Sequence, residues 1–269
     1  MTNIAEDFKE KLSPTLQGVL REAGNLAGEL GFKAYVVGGM VRDLLLGLQT
    51  IDVDIVVEGQ GIHFARRLAD RLQAKVRCHE RFGTATLTLP DQLRVDIATA
   101  RTEIYERPAA LPRVTPGSIR DDMFRRDFTI NTLAASLMPG EFGRVLDAFG
   151  GVRDLRERRI RALHERSFID DPTRIFRAVR FERRLDFRIV LSTEQWIAEA
   201  LSRSLLEELE DYRIAAELRL ILEESDPAGP LMRLSELGII DRLMRRPARE
   251  NILEKQLKKA KQLLQREGP

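Results

Sequence analysis

The sequence predicts an α+β domain built on a small β-sheet, followed by an all-α part. Three observations lead to this fold class. Between residues 34 and 98, short runs of β-forming residues alternate with helical patterns and glycine turns. From about residue 151 onward, the apolar residues follow the period of a helix. The composition, with 43% hydrophobic and 32% charged residues, is typical of a globular protein.

The chain begins with a helical pattern. Residues 4–30 place Leu16, Leu20 and Ala23 on one stripe of an amphipathic helix. A stripe of this kind normally packs against the rest of a domain, so the lead-in is expected to have a structural role.

A diglycine turn connects the first predicted strand to a short helix. The β-forming run at residues 35–37 stops at Gly38 and Gly39. Residues 40–46 then have a helical pattern, which Gly47 would end. Glycines in such a turn allow backbone N–H groups to approach an anion, and the N-terminus of the helix adds partial positive charge. The turn is therefore a candidate anion-binding site.

Asp52 and Asp54 follow at the start of an apolar strand pattern. Since side chains alternate along a strand, both carboxylates are predicted to share one exposed face, while Val53, Ile55 and Val57 face the core. Neighbouring carboxylates repel each other unless a cation lies between them, and hard oxygen ligands suit Mg²⁺ bound together with phosphates. The alternative is that both aspartates are ordinary solvated residues of a turn and a strand.

A third acid lies on a later predicted strand. A helical pattern and three strand patterns follow the aspartates, at residues 61–71, 74–77, 84–89 and 93–98. In the last strand the apolar residues alternate inward, which leaves Asp96 and Arg94 on the outward face. Asp96 is therefore a candidate to complete a metal-binding set.

Two further segments precede the helical part. Residues 100–120 are polar and are interrupted by three prolines, so they are predicted to form a long loop near the site. Residues 122–137 contain Arg125, Arg126 and Asp127 and are expected to lead into a helix. One alternative for Asp127 is that it merely caps that helix.

The second half of the chain is rich in arginine. Residues 151–188 hold twelve arginines against seven acids, and residues 245–269 hold eight basic residues against three glutamates. Such segments suggest a polyanionic partner, although charged runs are often only solvated surfaces. Four helices are predicted here. Two of them begin within residues 170–177 and 211–217, and the other two extend over residues 230–243 and 251–265.

The composition excludes several classes of protein. Cys78 is the single cysteine, so a disulfide within the chain is excluded, and this fits a reducing cytoplasm. The three histidines His63, His79 and His164 are too scattered to suggest a zinc site. No stretch approaches the roughly 20 apolar residues that a membrane span needs, so no membrane partner is expected.

In this order, the motifs resemble those of the class II tRNA nucleotidyltransferases and bacterial poly(A) polymerases, within the polymerase-β-type nucleotidyltransferase superfamily. The similar blocks are Gly38-Gly39 with Arg42-Asp43 and Asp52-x-Asp54, Arg125-Arg126-Asp127, Asp147 with Gly150-Gly151, Asp171-x-x-Arg174, and Arg213 with Glu217. The resemblance extends from about Tyr35 to Leu243. Five blocks in family order are specific, whereas each block alone is not.

The resemblance implies four segments. Residues 1–30 would be the lead-in, residues 31–150 a catalytic head with a polymerase-β-type sheet, residues 151–225 a helical neck that recognises the base, and residues 226–269 the start of a helical body. Family members usually have a longer body and tail. The chain is therefore expected to be either a fragment or a short member with a weaker grip on tRNA.

The resemblance also implies roles for the site residues. Asp52 and Asp54 would hold two Mg²⁺ ions, with Asp96 as the third carboxylate. The remaining positions would bind the nucleotide: Gly38, Gly39 and Arg42 at the triphosphate, Asp127 at the ribose, and Asp171 and Arg174 at the base. Arg126 would also bind the nucleotide, and Arg177 would contact a phosphate or the base, the alternative being that it is an exposed arginine of a helix.

Hydrogen-bonding capacity explains how Asp171 and Arg174 would select a base. Arginine offers only donors and an ionised aspartate only acceptors. Cytosine and adenine each present an amino donor beside a ring acceptor, whereas uracil and guanine place a carbonyl where the amino group would be. The alternative is that Asp171, before Pro172, merely caps the following helix.

The implied activity is template-independent addition of C, A or both to the 3′ end of tRNA, with ATP and, in the CCA- or CC-adding case, CTP as substrates. The RNA 3′-hydroxyl would attack the α-phosphate and release pyrophosphate by a two-metal mechanism. Some family members add CCA, others only CC or only A, and the sequence around residues 52–59 favours tRNA-end enzymes. A poly(A) polymerase acting on another RNA 3′ end is the alternative. An inactive RNA-binding module is a third possibility.

Overall fold

The computed structural model describes residues 2–49, 52–246 and 251–267. The chain divides into two compact units. The first comprises Met1–Ile104 and Arg113–Leu155, and the second comprises Tyr105–Pro112 and Arg156–Pro269. None of the described helices combines the length and the apolar character that crossing a bilayer requires.

The first unit is an α+β domain. Its elements, in chain order, are α1 (Ala5–Lys11), α2 (Pro14–Glu29), β1 (Lys33–Val37), α3 (Gly39–Leu45), β2 (Val53–Glu58), α4 (Gly61–Leu72), β3 (Lys75–His79), β4 (Thr84–Thr88), β5 (Arg94–Thr99), β6 (Arg101–Ile104), β7 (Arg113–Pro116), α5 (Ile119–Phe124), β8 (Leu133–Ser136), β9 (Val145–Asp147) and α6 (Gly151–Arg156). Seven of the described strands form one sheet in the order β3-β4-β5-β2-β1-β8-β9. The α+β fold expected from the sequence is confirmed.

Helices pack against both faces of this sheet. On one face, α2 and α4 contact the central strands. On the other face, Ile119 and Met123 of α5 pack with Tyr35, Val37 and Val56. Because β2 is buried on both sides at Val56 and Val57, Asp54 near its N-terminal end is the one fully exposed residue of this strand.

Three expectations for this unit need correction. The lead-in is two helices, because Ser13 caps α2 and Pro14 occupies its first position. Residues 100–120 are not a single loop, because β6 and β7 pair there as antiparallel strands. No helix follows Asp127: a short 3₁₀ turn at Thr129–Asn131 leads into β8. All four residues of β8 are buried, and such a short apolar run has no period that separates a strand from a helix.

The close packing of α2 on the sheet yields a stability prediction. A Cβ atom at Gly24 would lie 1.8 Å from the backbone oxygen of Leu137, whereas one at Gly18 on the same helix would meet nothing within 4 Å. Gly24→Ala is therefore expected to lower the free energy of unfolding by about 1–3 kcal/mol. Gly18→Ala is the matched control and is expected to raise it by about 0.5–1 kcal/mol. Urea unfolding checks both values, and equal effects at the two positions would contradict the packing described here.

The second unit is mainly helical. Its elements are β10 (Arg159–Ile160), α7 (Ser167–Asp170), α8 (Arg174–Arg184), β11 (Arg188–Ile189), α9 (Leu191–Ser202), α10 (Asp211–Leu222), α11 (Ala228–Glu236), α12 (Ile239–Arg245) and α13 (Asn251–Glu267). Strands β10 and β11 form a short parallel pair. The single helix expected across residues 230–243 is wrong, because Gly238 adopts a positive φ of 70° and separates α11 from α12.

Candidate active site

Two carboxylates lie side by side on the exposed end of the central sheet. Strand β2 pairs in parallel with β5, and the register places Asp54 opposite Asp96. Adjacent strands are about 4.8 Å apart, so the two side chains are neighbours on one face. Both are exposed, as is Asp52 just before β2. The hydroxyl of Thr86 on β4 donates to Asp96 Oδ1 at 2.5 Å. The predictions that Asp54 and Asp96 face outward are confirmed.

The electrostatics of this pair favour a bound cation. The pKa of Asp54 is raised above its ordinary value, chiefly because protein atoms displace water from around its carboxyl. Arg126 opposes this rise, and the negative charges of Asp96 and Asp52 add to it. A positive charge between the carboxylates would relieve their repulsion.

The donor chemistry of the pair fits a hard divalent cation, because carboxylate oxygens are the ligands that Mg²⁺ prefers. Among the residues that the structure describes, however, no group of three or more histidine, cysteine, aspartate or glutamate side chains has the arrangement of a metal site. Asp52, Asp54 and Asp96 therefore do not form a preassembled three-ligand set. Their roles as metal ligands stay predictions.

The diglycine turn places the N-terminus of α3 at the same end of the first unit as the carboxylates. Gly38 has φ +67° and ψ −123°, a conformation that glycine adopts without strain. Its N–H donates to the oxygen of Leu133 and is therefore used within the sheet. The N–H groups without an intrahelical acceptor are those at the start of α3, from Gly39 onward. An anion would thus be bound at Gly39 and the following residues, not at the N–H of Gly38.

Arg126 lies directly over this turn. A Cβ atom at Gly38 would be 2.7 Å from Arg126 Nη1, so a side chain there would collide with the guanidinium. Asp122, which is fully buried, holds both arginines of the motif: Oδ1 accepts two hydrogen bonds from Arg125, and Oδ2 accepts two from Arg126. Arg126 also opposes the rise in the pKa of Asp54. It is a fixed positive charge beside both the turn and the carboxylates.

A second network joins Arg42 to Asp127. Arg42 is only 4% exposed, and it donates to Asp43 Oδ1 at 2.8 Å and to Asn131 Oδ1 at 2.7 Å. Asn131 in turn donates to Asp127 Oδ1 at 2.9 Å, and the N–H of Phe128 donates to the same oxygen. Asp127 therefore orients Asn131, and the alternative that it merely caps a helix is wrong.

Two residues of these networks, Asp122 and Asn131, are not predicted from the sequence. Asp122 precedes Arg125 and Arg126 by three and four residues, the spacing at which side chains on a helix meet, and this signal could have identified it. Asn131 contacts Arg42 from 89 residues away, so no local pattern reveals that contact.

In the second unit, Asp171 is held by Arg213. Its Oδ1 accepts from Arg213 Nη2 at 2.8 Å and from the N–H and hydroxyl of Thr173. Helix α8 begins at Arg174 with Thr173 as its N-cap residue. The alternative that Asp171 caps this helix is therefore wrong, and Pro172 precedes the first helical turn.

The two arginines predicted on α8 have different environments. Arg174 is buried, and its charge adds to the effect of burial in lowering the pKa of His164. Arg177 is half-buried, and its guanidinium lies 5.5 Å from the ring centroid of Phe181. The base-binding roles of Asp171, Arg174 and Arg177 stay predictions, as do the nucleotide-binding roles in the first unit.

Comparison with known proteins identifies the family. The model of the poly A polymerase head domain matches residues 34–161. The chain is 48% identical over 227 residues to an A-adding tRNA nucleotidyltransferase of Geobacter sulfurreducens, covering 84% of the chain and 26% of that protein. It is 39% identical over 233 residues to an A-adding tRNA nucleotidyltransferase of Halalkalibacterium halodurans, with 84% and 53% covered.

A solved structure agrees with these relatives. The Thermotoga maritima CCA-adding enzyme complexed with tRNA superposes with a TM-score of 0.82 at 41% identity, covering 93% of the chain and 57% of that protein. The chain thus spans between about a quarter and just over half the length of these three relatives. The family resemblance inferred from the motifs is confirmed, and the chain belongs to the tRNA nucleotidyltransferase and poly(A) polymerase family.

Proposed function

We propose that this chain is a template-independent nucleotidyltransferase that adds C, A or both to the 3′ end of tRNA. The 3′-hydroxyl oxygen of the RNA attacks the α-phosphate of ATP or CTP and forms a new phosphodiester bond. The bond between the α- and β-phosphates breaks, pyrophosphate leaves, and the hydroxyl proton is lost. The observation that carries the proposal is the pairing of Asp54 with Asp96 on one exposed sheet face, close to the cation of Arg126 and the diglycine turn.

In this proposal, Asp52 and Asp54 hold Mg²⁺ in a two-metal site, and Asp96 is the third carboxylate. When bound, Mg²⁺ supplies neutralisation of the phosphate charge and activation of the 3′-hydroxyl. The protein positions these carboxylates. The hydroxyl of Thr86 orients Asp96, and the pairing of β2 with β5 keeps Asp54 and Asp96 next to each other at one end of the sheet. Positioning and charge neutralisation account for most of the catalysis in phosphoryl transfer.

The triphosphate and ribose contacts are divided between two networks. We assign the phosphates to the start of α3 and to Arg126, because Asp122 holds this guanidinium in place over Gly38. Arg42 is almost fully buried, so its part is to fix Asn131 and, through it, Asp127 at the ribose.

Base selection is assigned to Asp171 and Arg174, with Arg177 as an additional contact. Arg213 fixes the carboxylate of Asp171 from α10, which keeps an acceptor at a constant position. A rigid acceptor beside a rigid donor is the arrangement that discriminates an amino group from a carbonyl.

Arg174→Ala is expected to relax the choice of nucleotide. The guanidinium of Arg174 is a hydrogen-bond donor that does not match uracil or guanine. Its removal should therefore raise the incorporation of UTP and GTP, relative to that of ATP, by about tenfold or more. Competition assays with the four nucleoside triphosphates measure this ratio. The matched control is Arg184→Ala, an exposed arginine at the other end of α8. An Arg174→Ala variant with full preference for A and C would contradict the assignment.

The names of two of the relatives favour addition of A as the first reaction to test. The description of the matched family model makes poly(A) polymerase the second candidate, and an inactive RNA-binding module is the third. A cytoplasmic location belongs to the same proposal, because the substrate would be tRNA.

A substrate panel separates these candidates. The chain is incubated with tRNA that ends in C-C, with tRNA that lacks CCA, and with unstructured RNA, each with Mg²⁺ and with ATP, with CTP or with both nucleotides. Addition of one A to the first substrate supports an A-adding enzyme, and three additions to the second support a CCA-adding enzyme. Long tails on unstructured RNA support a poly(A) polymerase, and no addition to any RNA would refute the proposed transfer.

A further inference from the structure

A large cavity in the second unit lies away from the base-reading residues. Its volume is about 1270 Å³, and it is lined around β10, β11, the C-terminal end of α8 and the N-terminal part of α11. Six arginines and four acids line it: Arg158, Arg159, Arg161, Arg183, Arg188 and Arg233, with Glu157, Glu182, Asp186 and Asp226. The lining therefore carries an excess of positive charge.

The arginines of this cavity are not equally neutralised. Arg233 pairs with Glu182, Glu194 and Glu236, and it thereby forms part of the fixed wall. By contrast, Arg183 and Arg188 are exposed and have no ion pair within the described residues. These two arginines thus have no ion-pair partner in the described part of the chain, and Asp226 of the same lining accepts hydrogen bonds from backbone N–H groups.

The short parallel sheet places like charges next to each other. The register of β10 and β11 sets Arg159 opposite Arg188, and both side chains are exposed. Like charges directly opposite on neighbouring strands destabilise a sheet. Glu157 neutralises Arg159 at 2.8 Å, but Arg188 has no such partner in the described part of the chain. An anion in the cavity would remove the repulsion.

Two residues with a positive φ lie at the same place and pair with each other. Arg158 and Asp186 have φ values of 52° and 53°, in the left-handed region that side chains other than glycine rarely adopt. Their side chains pair at 3.2 Å on the rim of the cavity. The positive φ of Asp186 ends α8, because the N–H groups of Asp186 and Phe187 donate to the oxygens of Arg183 and Glu182.

We propose that this cavity binds backbone phosphates of the RNA substrate through Arg183 and Arg188. Guanidinium groups bind phosphates through two parallel hydrogen bonds, which makes arginine well suited to this role. Arg174 and Arg183 are nine residues apart on α8, or about 13 Å along the helix axis. The cavity therefore contacts a part of the RNA remote from the nucleotide at Arg174. This inference rests on the proposed function, because it takes RNA as the polyanion.

The test compares two double variants of the full chain that remove the same charge. Arg183→Gln with Arg188→Gln alters the cavity, whereas Arg156→Gln with Arg184→Gln removes two exposed arginines that do not line it. Binding of tRNA ending in C-C is followed by fluorescence anisotropy over a series of salt concentrations. Melting temperatures verify that both variants are folded.

The cavity variant is expected to bind this RNA roughly tenfold more weakly at low salt than the control variant. The slope of log affinity against log salt should become shallower by about one to two, since each phosphate contact contributes about 0.7–0.9. Equal losses in both variants would overturn the proposal, because they would indicate a diffuse charge effect. It would also be overturned if the cavity variant kept its RNA affinity and lost only the binding of inorganic pyrophosphate.

The binding assay does not depend on catalysis, so the two proposals can fail separately. Wild-type chain that binds RNA through Arg183 and Arg188 but incorporates no nucleotide would support the cavity site and refute the proposed transfer. Wild-type chain that adds nucleotides, with an RNA affinity that is insensitive to both arginines, would refute the cavity site alone.

Discussion

Asp54→Asn is expected to abolish nucleotide incorporation without unfolding the chain. The side chain is exposed and lies opposite Asp96, so its replacement removes a cation ligand but no core contact. Loss of a ligand at the reacting phosphates should lower kcat/KM by at least about 10³-fold, on the order of 4 kcal/mol. The measurement is incorporation of labelled AMP into tRNA ending in C-C, and Asp70→Asn, an exposed acid on α4, is the control.

The same substitution is expected to leave the melting temperature unchanged or to raise it. The folded state raises the pKa of the Asp54 carboxyl, so this group binds its proton more tightly in the folded than in the unfolded chain. Its contribution favours folding at acidic pH and is lost as the pH rises through the raised pKa. At neutral pH without divalent cations, the ionised carboxylate therefore destabilises the fold, and a neutral asparagine relieves this. A marked drop in melting temperature would contradict the account of the pair.

Asp122→Asn is expected to lower the free energy of unfolding by about 3 kcal/mol, because it leaves two arginines beside a buried, uncharged group. Asp122 is fully buried and accepts four hydrogen bonds from Arg125 and Arg126. The KM for ATP should rise as well, since Arg126 is released from its place over Gly38.

Urea unfolding and steady-state kinetics measure these two effects. Asp121→Asn is the comparison, because Asp121 lies on the same helix but is exposed and forms a capping box with Ser118. Its loss should cost about 1 kcal/mol and leave the KM for ATP unchanged. Similar stability and KM values for the two variants would show that Asp122 has no special role.

Much of the candidate site could be predicted from the sequence because it depends on local patterns. The alternation along β2 and β5 placed Asp54 and Asp96 on the outward face, and the glycines marked the turn before α3. Side chains alternate between the two faces of any strand, and the sequence shows this alternation when only one face is buried. Strand β8 lacks this condition, since it is buried on both faces, and its sequence therefore predicts a helix instead.

Other features depend on contacts between distant residues and could not be predicted. Asn131 meets Arg42 across 89 residues, and Arg213 meets Asp171 across 42. The pairing of β6 with β7 depends on the register of two strands separated by a proline-containing segment. Polar side chains of this kind find their partners only when the sheet and helices are assembled, so their roles emerge from the structure alone.

The most direct test of the account is a titration of Mn²⁺, as a substitute for Mg²⁺, followed by electron paramagnetic resonance in the presence of a non-hydrolysable ATP analogue. The wild-type chain should bind Mn²⁺, and added Mg²⁺ should displace it. The Asp54→Asn, Asp96→Asn double variant should lose this binding while remaining folded. Equal Mn²⁺ binding by the two proteins would contradict the claim that these paired carboxylates form the metal site.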